Sequence, residues 1–373
     1  MTASFMEGNE AIAHGAMAAG CRFFAGYPIT PATTIFQSML TLLPPAGGIC
    51  LQGEDEIASI GFCLGASMAG LKAMTATSGP GISLYSEQIS FAIGSEIPIV
   101  IVDVQRLGPS TGSATRGADG DIQFLRWGNS GGLPVIALAP VNPADCFVLT
   151  MAAFNLAETY RCPVFIASNK EIGMTRESVD LRSLPQPEIV ERRGFAGPPP
   201  YRPFAVADGR DVPDFLPIGA DILVRQTSST HGPDGYITTD AVQIAAAQQR
   251  LDRKLRSAVD TFTYWEFYGP PDADTLVITY GVSARAARSA VDAARAAGTT
   301  ASLLVLKTLW PVPEALIREK AAGAGRIVVV EMNLGQYVRE IRRVLGNQHI
   351  DFIGQMDGRL IHPETIEEVI CHG

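Results

Sequence analysis

Short apolar runs alternate with longer alanine-rich segments through the first half of the chain. The runs, bounded by glycine or proline, predict strands, and the segments between them predict helices. The predicted strands are residues 21–27, 47–52, 72–78, 97–105, 134–140 and 163–168, and the predicted helices are 8–20, 31–43, 54–70, 81–94 and 144–160. The run IPIVIVDVQ at 97–105 is predominantly apolar, of the type expected of a strand covered on both faces. The pattern predicts a doubly wound α/β domain with a parallel sheet.

A proline- and glycine-rich stretch, GFAGPPPYRPFAVADG, interrupts this alternation and predicts a linker laid over the surface. Alternation resumes at TLVITYG. The strands predicted there are 275–281, 301–306 and 326–333, and the helices are 282–298, 312–323 and 335–346. We therefore predict a larger α/β domain at 1–190, a linker at 191–260 and a smaller α/β domain at 261–373.

The predicted helix at 54–70 is organised differently from the others. Its first turn is predicted to be Glu54, Asp55 and Glu56, and its body carries no charge as far as Gly70, which predicts burial on every face. Acidic residues favour a helix N-terminus for electrostatic reasons, which alone would explain them. The turns GYPITP at 26–31 and TSGPG at 77–81 favour a functional role for the acidic residues as well, because both turns follow predicted strands.

These turns place candidate binding groups at the carboxyl ends of strands, where open α/β sheets bind ligands. Pro28 and Pro31 restrict the backbone around Thr30, so its hydroxyl is expected to be held rigidly. Gly79 permits close approach of a ligand to the backbone. Arg106 ends the strand at 97–105, and arginine is a natural partner for a substrate carboxylate.

Composition narrows the possible classes of protein. Of the 373 residues, 47% are hydrophobic and only 18% are charged, which predicts that much of the surface is covered in an oligomer. The net charge of −9 argues against a nucleic-acid partner. No apolar run is long enough to span a membrane and the N-terminus lacks a signal-peptide pattern, so a cytoplasmic location is predicted.

Local metal and nucleotide motifs are missing from the sequence. The six cysteines form no CxxC pair and the five histidines have no metal-binding spacing, so neither a zinc site nor an iron–sulfur site is predicted. The glycine-rich stretch GPSTGSATRG does not match the dinucleotide fingerprint. A stand-alone α/β nucleotide-binding enzyme nevertheless stays open as an alternative.

Four segments carry a resemblance to a known family. GNEAIAHGAMAAGCRFFAGYPITPAT, GEDEIASIGFCLGASMAG, TSGPGISLYSE and DVQRLGPSTG resemble the alpha subunit of 2-oxoacid:ferredoxin oxidoreductases, specifically the 2-oxoglutarate type, and VVVEMNLGQ fits the same family. The resemblance implies a pyrimidine-binding domain for thiamine diphosphate, followed by a transketolase-C-terminal-like domain. It also implies coenzyme A-dependent oxidative decarboxylation of 2-oxoglutarate to succinyl-CoA, or the reverse carboxylation.

Site residues follow from the resemblance by position. The cofactor glutamate of the family falls on Glu56, its substrate-contacting threonine on Thr30 and its substrate arginine on Arg106. We expect Ile29, Thr30, Ser78 and Gly79 to contact the cofactor alongside Glu56. A distal substrate carboxylate needs a further cation, for which Arg116 and Arg126 in the loop at 107–133 are the candidates.

The resemblance also implies a partner. The GDG motif that binds diphosphate through a metal is absent, since the nearest match, GDI at 120–122, lacks the later asparagine. We therefore expect a beta subunit to carry Mg²⁺ and the iron–sulfur cluster, with ferredoxin as acceptor and two copies of each chain. The fused N-terminal acceptor domain of longer members is expected to be separate or missing. The alternatives are a branched-chain or other 2-oxoacid enzyme, and a non-catalytic scaffold with a degenerate pyrimidine domain.

Overall fold

The computed structural model describes residues 3–219 and 221–372. Strands and helices alternate through both halves of the chain. The strands are β1 (Ser4–Glu7), β2 (Phe23–Gly26), β3 (Ile49–Gln52), β4 (Ala73–Thr77), β5 (Ile99–Gln105), β6 (Ile136–Leu138), β7 (Pro163–Asn169), β8 (Arg176–Val179), β9 (Trp265–Tyr268), β10 (Thr275–Thr279), β11 (Ala301–Leu306), β12 (Thr308–Trp310), β13 (Arg326–Glu331) and β14 (Ile350–Gly354). The helices are α1 (Gly8–Ala18), α2 (Thr33–Leu42), α3 (Glu56–Met68), α4 (Pro80–Leu84), α5 (Ser86–Gly94), α6 (Ile122–Trp127), α7 (Pro143–Tyr160), α8 (Lys170–Met174), α9 (Ala241–Arg256), α10 (Ser283–Ala296), α11 (Glu314–Ala321), α12 (Val338–Leu345) and α13 (Pro363–His372).

The first domain is built on a sheet with the strand order β12-β6-β7-β5-β4-β2-β3. The six strands from the first domain pair in parallel. Apolar side chains of α1 and α7 pack on one face of this sheet, and those of α3 and α5 pack on the other. Every residue of β5 and β7 is buried, as the apolar run at 97–105 predicts. The predicted doubly wound domain is confirmed.

The second domain is a smaller α/β unit on a sheet with the order β14-β13-β10-β11-β9. The first four of these strands are parallel, and β9 pairs with β11 in the antiparallel sense. Strand β12 leaves this domain and adds an antiparallel edge to the first sheet, beside β6. The six strands of the first domain are parallel as predicted, and the added strand β12 was not predicted because its three residues carry too little pattern to be recognised.

Two helix predictions in the first domain need correction. Helix α3 begins at Glu56; Asp55 is its N-cap, accepting a hydrogen bond from the Ala58 amide at 2.7 Å, so Glu54 precedes the helix. The helix is also not buried on every face, since the side chains of Ile57 and Phe62 are both 47% exposed. The predicted helix at 81–94 is two helices, α4 and α5, which meet at the buried Tyr85.

The predicted linker contains one long helix, α9, which the sequence analysis missed. Few apolar residues mark its buried side; it docks largely through charge, with Arg250 and Lys254 both bound to the fully buried carboxylate of Glu96. The stretch at 194–209 has no helix or longer strand, in agreement with its prolines. The domain boundaries at 190 and 260 stay predictions. In the described part of the chain, no helix has both the length and the apolar character needed to cross a bilayer.

Candidate active site at the edge of the first sheet

The predicted site residues follow the carboxyl ends of four neighbouring strands and therefore lie at one edge of the first sheet. In the order β5-β4-β2-β3, each strand ends just before a candidate residue. The residues that follow these strand ends are Arg106 after β5, Ser78 and Gly79 after β4, Ile29 and Thr30 after β2, and Glu56 after β3. Because parallel strands place their carboxyl ends together, residues that are far apart in sequence meet here.

Glu56 is the buried acid of this edge. It is the first residue of α3, and it is 8% exposed. Within residues 3–219 and 221–372, its carboxylate has no hydrogen-bond or ion-pair partner. A side chain at position 81 would lie 1.9 Å from Thr77 Oγ1 and 3.2 Å from Glu56 Oε1, so only glycine fits between these groups. The lack of a side chain at Gly81 therefore lets Glu56 and the Thr77 hydroxyl approach α4 closely.

Tyr85 lies close to Glu56. Its phenol oxygen is 2.8 Å from Thr75 Oγ1. Burial raises the pKa of Tyr85 well above its ordinary value, and the neighbouring Cys63 and Glu56 add to the increase. Tyr85 is therefore a neutral neighbour of Glu56, and it supplies no charge to balance the carboxylate.

Arg106 links the two loops that carry the predicted substrate contacts. Its Nη1 donates to the Thr30 carbonyl at 2.5 Å, and its Nη2 donates to the Thr111 carbonyl at 2.8 Å. Arg106 is 5% exposed, and burial lowers the pKa of its guanidinium. Its Nε has no partner among the described residues. Thr30 and Arg106 are thus brought together as predicted, with the Thr30 side chain exposed to solvent.

The turn before α4 also has unpartnered polar groups. Ser78 is fully buried, and neither its hydroxyl nor that of Thr77 has a partner within the described ranges. Gly79 has a φ of 41°, in the left-handed region that favours glycine, and a side chain there would lie 3.6 Å from Arg106 Nε. Ile29 is half-buried on the neighbouring loop. A ligand could therefore approach the backbone of the turn before α4 closely.

The two candidate cations for a distal carboxylate have different surroundings. Arg116 is exposed and its side chain packs over Gly358 of the second domain. Arg126 is buried on α6, where its Nη1 and Nη2 donate to the carbonyls of Leu133 and Gly132 at 2.9 and 3.0 Å. The charged groups that act on Arg126 are Arg256 and Asp252 of α9 and Glu340 of α12. In the described part of the chain, the structure thus gives Arg126 no contact with the edge that carries Thr30 and Arg106 and does not support it as a substrate contact.

Three buried or half-buried aspartates, Asp103, Asp119 and Asp121, lie close together at the same edge, and the sequence analysis did not select them. Burial raises the pKa of all three, that of Asp119 to about 7 and that of Asp121 to about 6. One signal was available in the sequence, because Asp103 is the single charged residue of β5. No group of three or more His, Cys, Asp or Glu residues in the described ranges is arranged to hold a metal ion.

Comparison with known proteins identifies the class to which this fold and edge belong. Residues 14–255 match the thiamine diphosphate-binding domain of pyruvate flavodoxin/ferredoxin oxidoreductases, and residues 273–366 match core domain II of pyruvate:ferredoxin oxidoreductase. The chain belongs to this thiamine diphosphate-binding family.

Two individual relatives are similar to the chain over nearly its whole length. The chain is 41% identical to the 2-oxoglutarate synthase subunit KorA of Methanothermobacter marburgensis, over 97% of this chain and 96% of that protein. It is 35% identical to the ketoisovalerate oxidoreductase subunit VorB of Methanothermobacter thermautotrophicus, over 99% of this chain and 97% of that protein.

A solved structure is similar over the whole fold. This is the 2-oxoglutarate:ferredoxin oxidoreductase of Magnetococcus marinus, solved with 2-oxoglutarate, coenzyme A and succinyl-CoA bound. The TM-score is 0.92 at 31% identity, and the match covers 99% of this chain and 65% of that chain.

Proposed function

We propose that this chain is the alpha subunit of a 2-oxoglutarate:ferredoxin oxidoreductase. The complete enzyme would oxidatively decarboxylate 2-oxoglutarate to succinyl-CoA with coenzyme A and pass the electrons to ferredoxin, or run the reverse carboxylation. The observation that carries the proposal is the buried, unpartnered carboxylate of Glu56 beside the Thr30–Arg106 pair. The relatives named for 2-oxoglutarate support this substrate, since their identity exceeds that of the ketoisovalerate relative.

The residues at the sheet edge fit thiamine diphosphate. An aminopyrimidine ring needs a carboxyl group that can share a proton with a ring nitrogen, and Glu56 is an unpartnered carboxyl in a water-poor position. Ile29, Thr30, Ser78 and Gly79 would form the surface against the ring. When bound, the cofactor supplies the carbon nucleophile and accepts the charge left by loss of carbon dioxide. The task of Glu56 is to hold the proton that the ring exchanges.

Substrate recognition would be divided between the common and the distinctive ends of the 2-oxoacid. Thr30 and Arg106 are assigned to the carboxylate and carbonyl end that all 2-oxoacids share. Two contacts of Arg106 are with backbone carbonyls, so its remaining N–H groups can still bind a carboxylate. Arg116, exposed in the loop before α6, is assigned to the distal carboxylate of 2-oxoglutarate.

The partner would be a beta subunit that carries the diphosphate-binding motif, Mg²⁺ and the iron–sulfur cluster. Exposed apolar side chains favour a protein contact next to the site: Ile49 and Leu51 lie on the edge strand β3, and Ile57 and Phe62 lie on α3. Such a cluster on a sheet edge is typical of an interface. We propose an assembly with two copies of each chain, located in the cytoplasm.

The test is to co-express the chain with its candidate beta subunit and to measure 2-oxoacid-dependent dye reduction. Coenzyme A-dependent activity with 2-oxoglutarate, well above that with ketoisovalerate or pyruvate, is the expected result. A preference for ketoisovalerate would favour the branched-chain alternative. A stable complex that binds thiamine diphosphate but reduces no dye with any 2-oxoacid would favour the scaffold alternative.

A further inference from the structure

The turn at residues 107–116 follows Arg106 directly and is closed at its base by backbone hydrogen bonds. The Leu107 amide donates to the Arg116 carbonyl at 2.8 Å, and the Leu107 carbonyl accepts from the Ser113 amide at 2.8 Å. These contacts include an isolated antiparallel bridge between Leu107 and Ser113. The residues at the tip of the turn, 109–113, are exposed, but their backbone has a defined path because the base is closed.

Gly112 sets the path of the backbone inside this turn. Its φ is 46°, in the left-handed region that favours glycine, and its amide donates to the Pro109 carbonyl at 3.1 Å. A side chain at position 112 would lie 1.8 Å from the carbonyl oxygen of Leu107 and 2.9 Å from the Cα of Gly108. Both are backbone atoms, so the turn itself would have to move to admit any other residue.

The neighbour of Gly112, Thr111, provides one of the two contacts that hold Arg106. Arg106 Nη2 donates to the Thr111 carbonyl at 2.8 Å, and Nη1 donates to the Thr30 carbonyl at 2.5 Å. Arg106 has no ion-pair partner in the part of the chain that the structure describes. The orientation of its guanidinium therefore depends on two backbone carbonyls. Each terminal nitrogen carries two N–H groups, so both keep one for a further acceptor.

The far end of the turn is packed against the second domain. A side chain at Gly358 would lie 2.8 Å from the Cβ and 3.1 Å from the Cγ of Arg116, so the stem of Arg116 rests directly on this glycine. Three residues further on, the Asp119 amide donates to the Met332 carbonyl at 2.9 Å. The turn is thus fixed to the end of β5 on one side and to the second domain on the other.

We propose that the turn at 107–116 is a positioning element for substrate binding, with Gly112 as its positioning residue. Gly112 sets the place of the Thr111 carbonyl, which holds the guanidinium of Arg106 in the orientation that binds the carboxylate and carbonyl end of a 2-oxoacid. The inference rests on the proposed function, in which Arg106 binds that end. Gly112 has no side chain that could contact the substrate, so it acts through Arg106.

The test is to measure steady-state kinetics of Gly112→Ala in the complete enzyme. Its KM should rise by about tenfold, as expected when a hydrogen bond to a charged group is lost, with a smaller change in kcat. The rise should be equal for 2-oxoglutarate and pyruvate, because Arg106 is assigned to the end that both share. The matched control is Gly298→Ala: Gly298 is exposed, has a φ of 95°, and no atom lies within 4 Å of an added side chain. It should leave both KM values unchanged.

A double variant separates positioning from a general structural defect. Arg106→Lys removes the planar fork and should itself raise KM. If Gly112 acts through Arg106, adding Gly112→Ala to Arg106→Lys should raise KM little further, whereas two independent defects would multiply. Thermal unfolding of each complex reports any loss of stability separately.

Gly358→Ala provides a second route to the same turn if Gly112→Ala does not assemble. The added side chain would displace Arg116, whose carbonyl accepts the Leu107 amide at the base of the turn. KM for pyruvate, which has no distal carboxylate, should rise by a smaller factor than in Gly112→Ala. This effect should also be lost in the Arg106→Lys background.

A KM for Gly112→Ala within about twofold of wild type, or an effect that multiplies with that of Arg106→Lys, would overturn the inference and leave the proposed function intact. If Arg106→Lys itself leaves KM unchanged for both substrates, the substrate contact assigned to Arg106 in the proposed function is wrong, and the inference is refuted with it.

Discussion

Two buried glutamates, one in each domain, have opposite surroundings. Glu331, 1% exposed at the end of β13, accepts hydrogen bonds from Tyr280 Oη, Asn333 Nδ2 and the amides of Tyr337 and Val338, at 2.7 to 3.0 Å. Glu56, 8% exposed at the start of α3, has no partner for its carboxylate among the described residues. Burying a carboxylate costs free energy unless it is paired. Glu331 is satisfied within its own chain, whereas under the proposed function the carboxylate of Glu56 pairs with a group from outside it.

The difference extends to the regions around the two residues. Near Glu331, Asn333 and Gln336 connect the second domain to the first through hydrogen bonds with Asp119, Gly120 and Gln123. Near Glu56, the polar atoms of Thr77, Ser78 and Arg106 Nε lack partners in the described part of the chain. The side chains of Asn333 and Gln336 at this junction are thus paired within the single chain. Under the proposed function, the unpartnered atoms at the edge of the first sheet belong to a binding site that the cofactor and a partner chain complete.

Glu56→Gln should have the largest effect on activity. The amide has the same shape but cannot exchange a proton with the cofactor ring, so turnover in the complete enzyme should fall by roughly 100- to 10,000-fold. Assembly should be unchanged and the lone chain no less stable, because an unpaired buried charge is removed. The matched control is Glu54→Gln, since Glu54 is exposed and lies outside α3. Retention of more than a third of wild-type turnover by Glu56→Gln would remove Glu56 from the mechanism.

Glu96→Ala should have the largest effect on stability. It leaves Arg250 and Lys254 without the carboxylate that both contact, and loss of one partner in a buried ion pair typically costs about 3–5 kcal/mol. Burial opposes ionisation of Glu96, but Lys254 and Arg250 outweigh it and lower its pKa to about 2.

The same variant should change the pH dependence of stability. Glu96 stabilises the fold fully above the ordinary glutamate pKa of 4.5, and this contribution is lost as the pH falls toward 2. Chemical denaturation of wild type between pH 6 and pH 3 should therefore show a decline that is shallower in Glu96→Ala. Parallel pH profiles for the two proteins would contradict the assignment.

Glu331→Gln should lower stability and leave turnover unchanged, which is the opposite of the result expected for Glu56→Gln. An amide nitrogen would face donors that now bind a carboxylate, so the free energy of unfolding should fall by about 3 kcal/mol. Turnover of the variant that remains folded should stay close to wild type, because Glu331 is assigned no chemistry. Denaturant titration and dye reduction on the same preparation separate the two effects. Loss of turnover without loss of stability would show that Glu331 has been misassigned.

Arg116→Ala should have the smallest effect. Loss of a contact with the distal carboxylate should reduce the preference for 2-oxoglutarate over pyruvate by about tenfold, the equivalent of one ion-pair contact. The control is Arg126→Ala, which should not affect the preference, since the charged neighbours of Arg126 lie on α9 and α12. If Arg116→Ala leaves the kcat/KM ratio of the two substrates unchanged, the distal contact lies elsewhere, and the partner chain becomes the leading candidate.

Apolar periodicity in the sequence was sufficient to predict the helices and strands that form the core. The fully buried strands β5 and β7 and the cores of α7 and α10 lie where apolar periodicity predicts them. Helix α9 was missed because its docking depends on Glu96, which lies far away in sequence. Strand β12 was missed because the sheet edge that it completes belongs to the other domain.

The candidate site was predictable to a similar extent. Thr30 and Arg106 could be proposed because each follows a strand, and the structure joins them. Preference for Glu56 over Glu54 came from the family resemblance, and the structure gives a physical difference between them, since Glu54 is exposed. The buried Asp103, Asp119 and Asp121 were not selected, because the loop that brings Asp121 to the end of β5 follows a path that local sequence pattern does not reveal.

The most direct test of the central claim compares the chain purified alone with the chain purified together with its beta subunit. Bound iron, bound thiamine diphosphate and 2-oxoglutarate-dependent dye reduction would be measured in both preparations. If this chain supplies the acid half of a shared site, the lone chain should be colourless, iron-free and inactive, and all three properties should appear together in the complex. Substantial dye reduction by the lone chain would contradict the account.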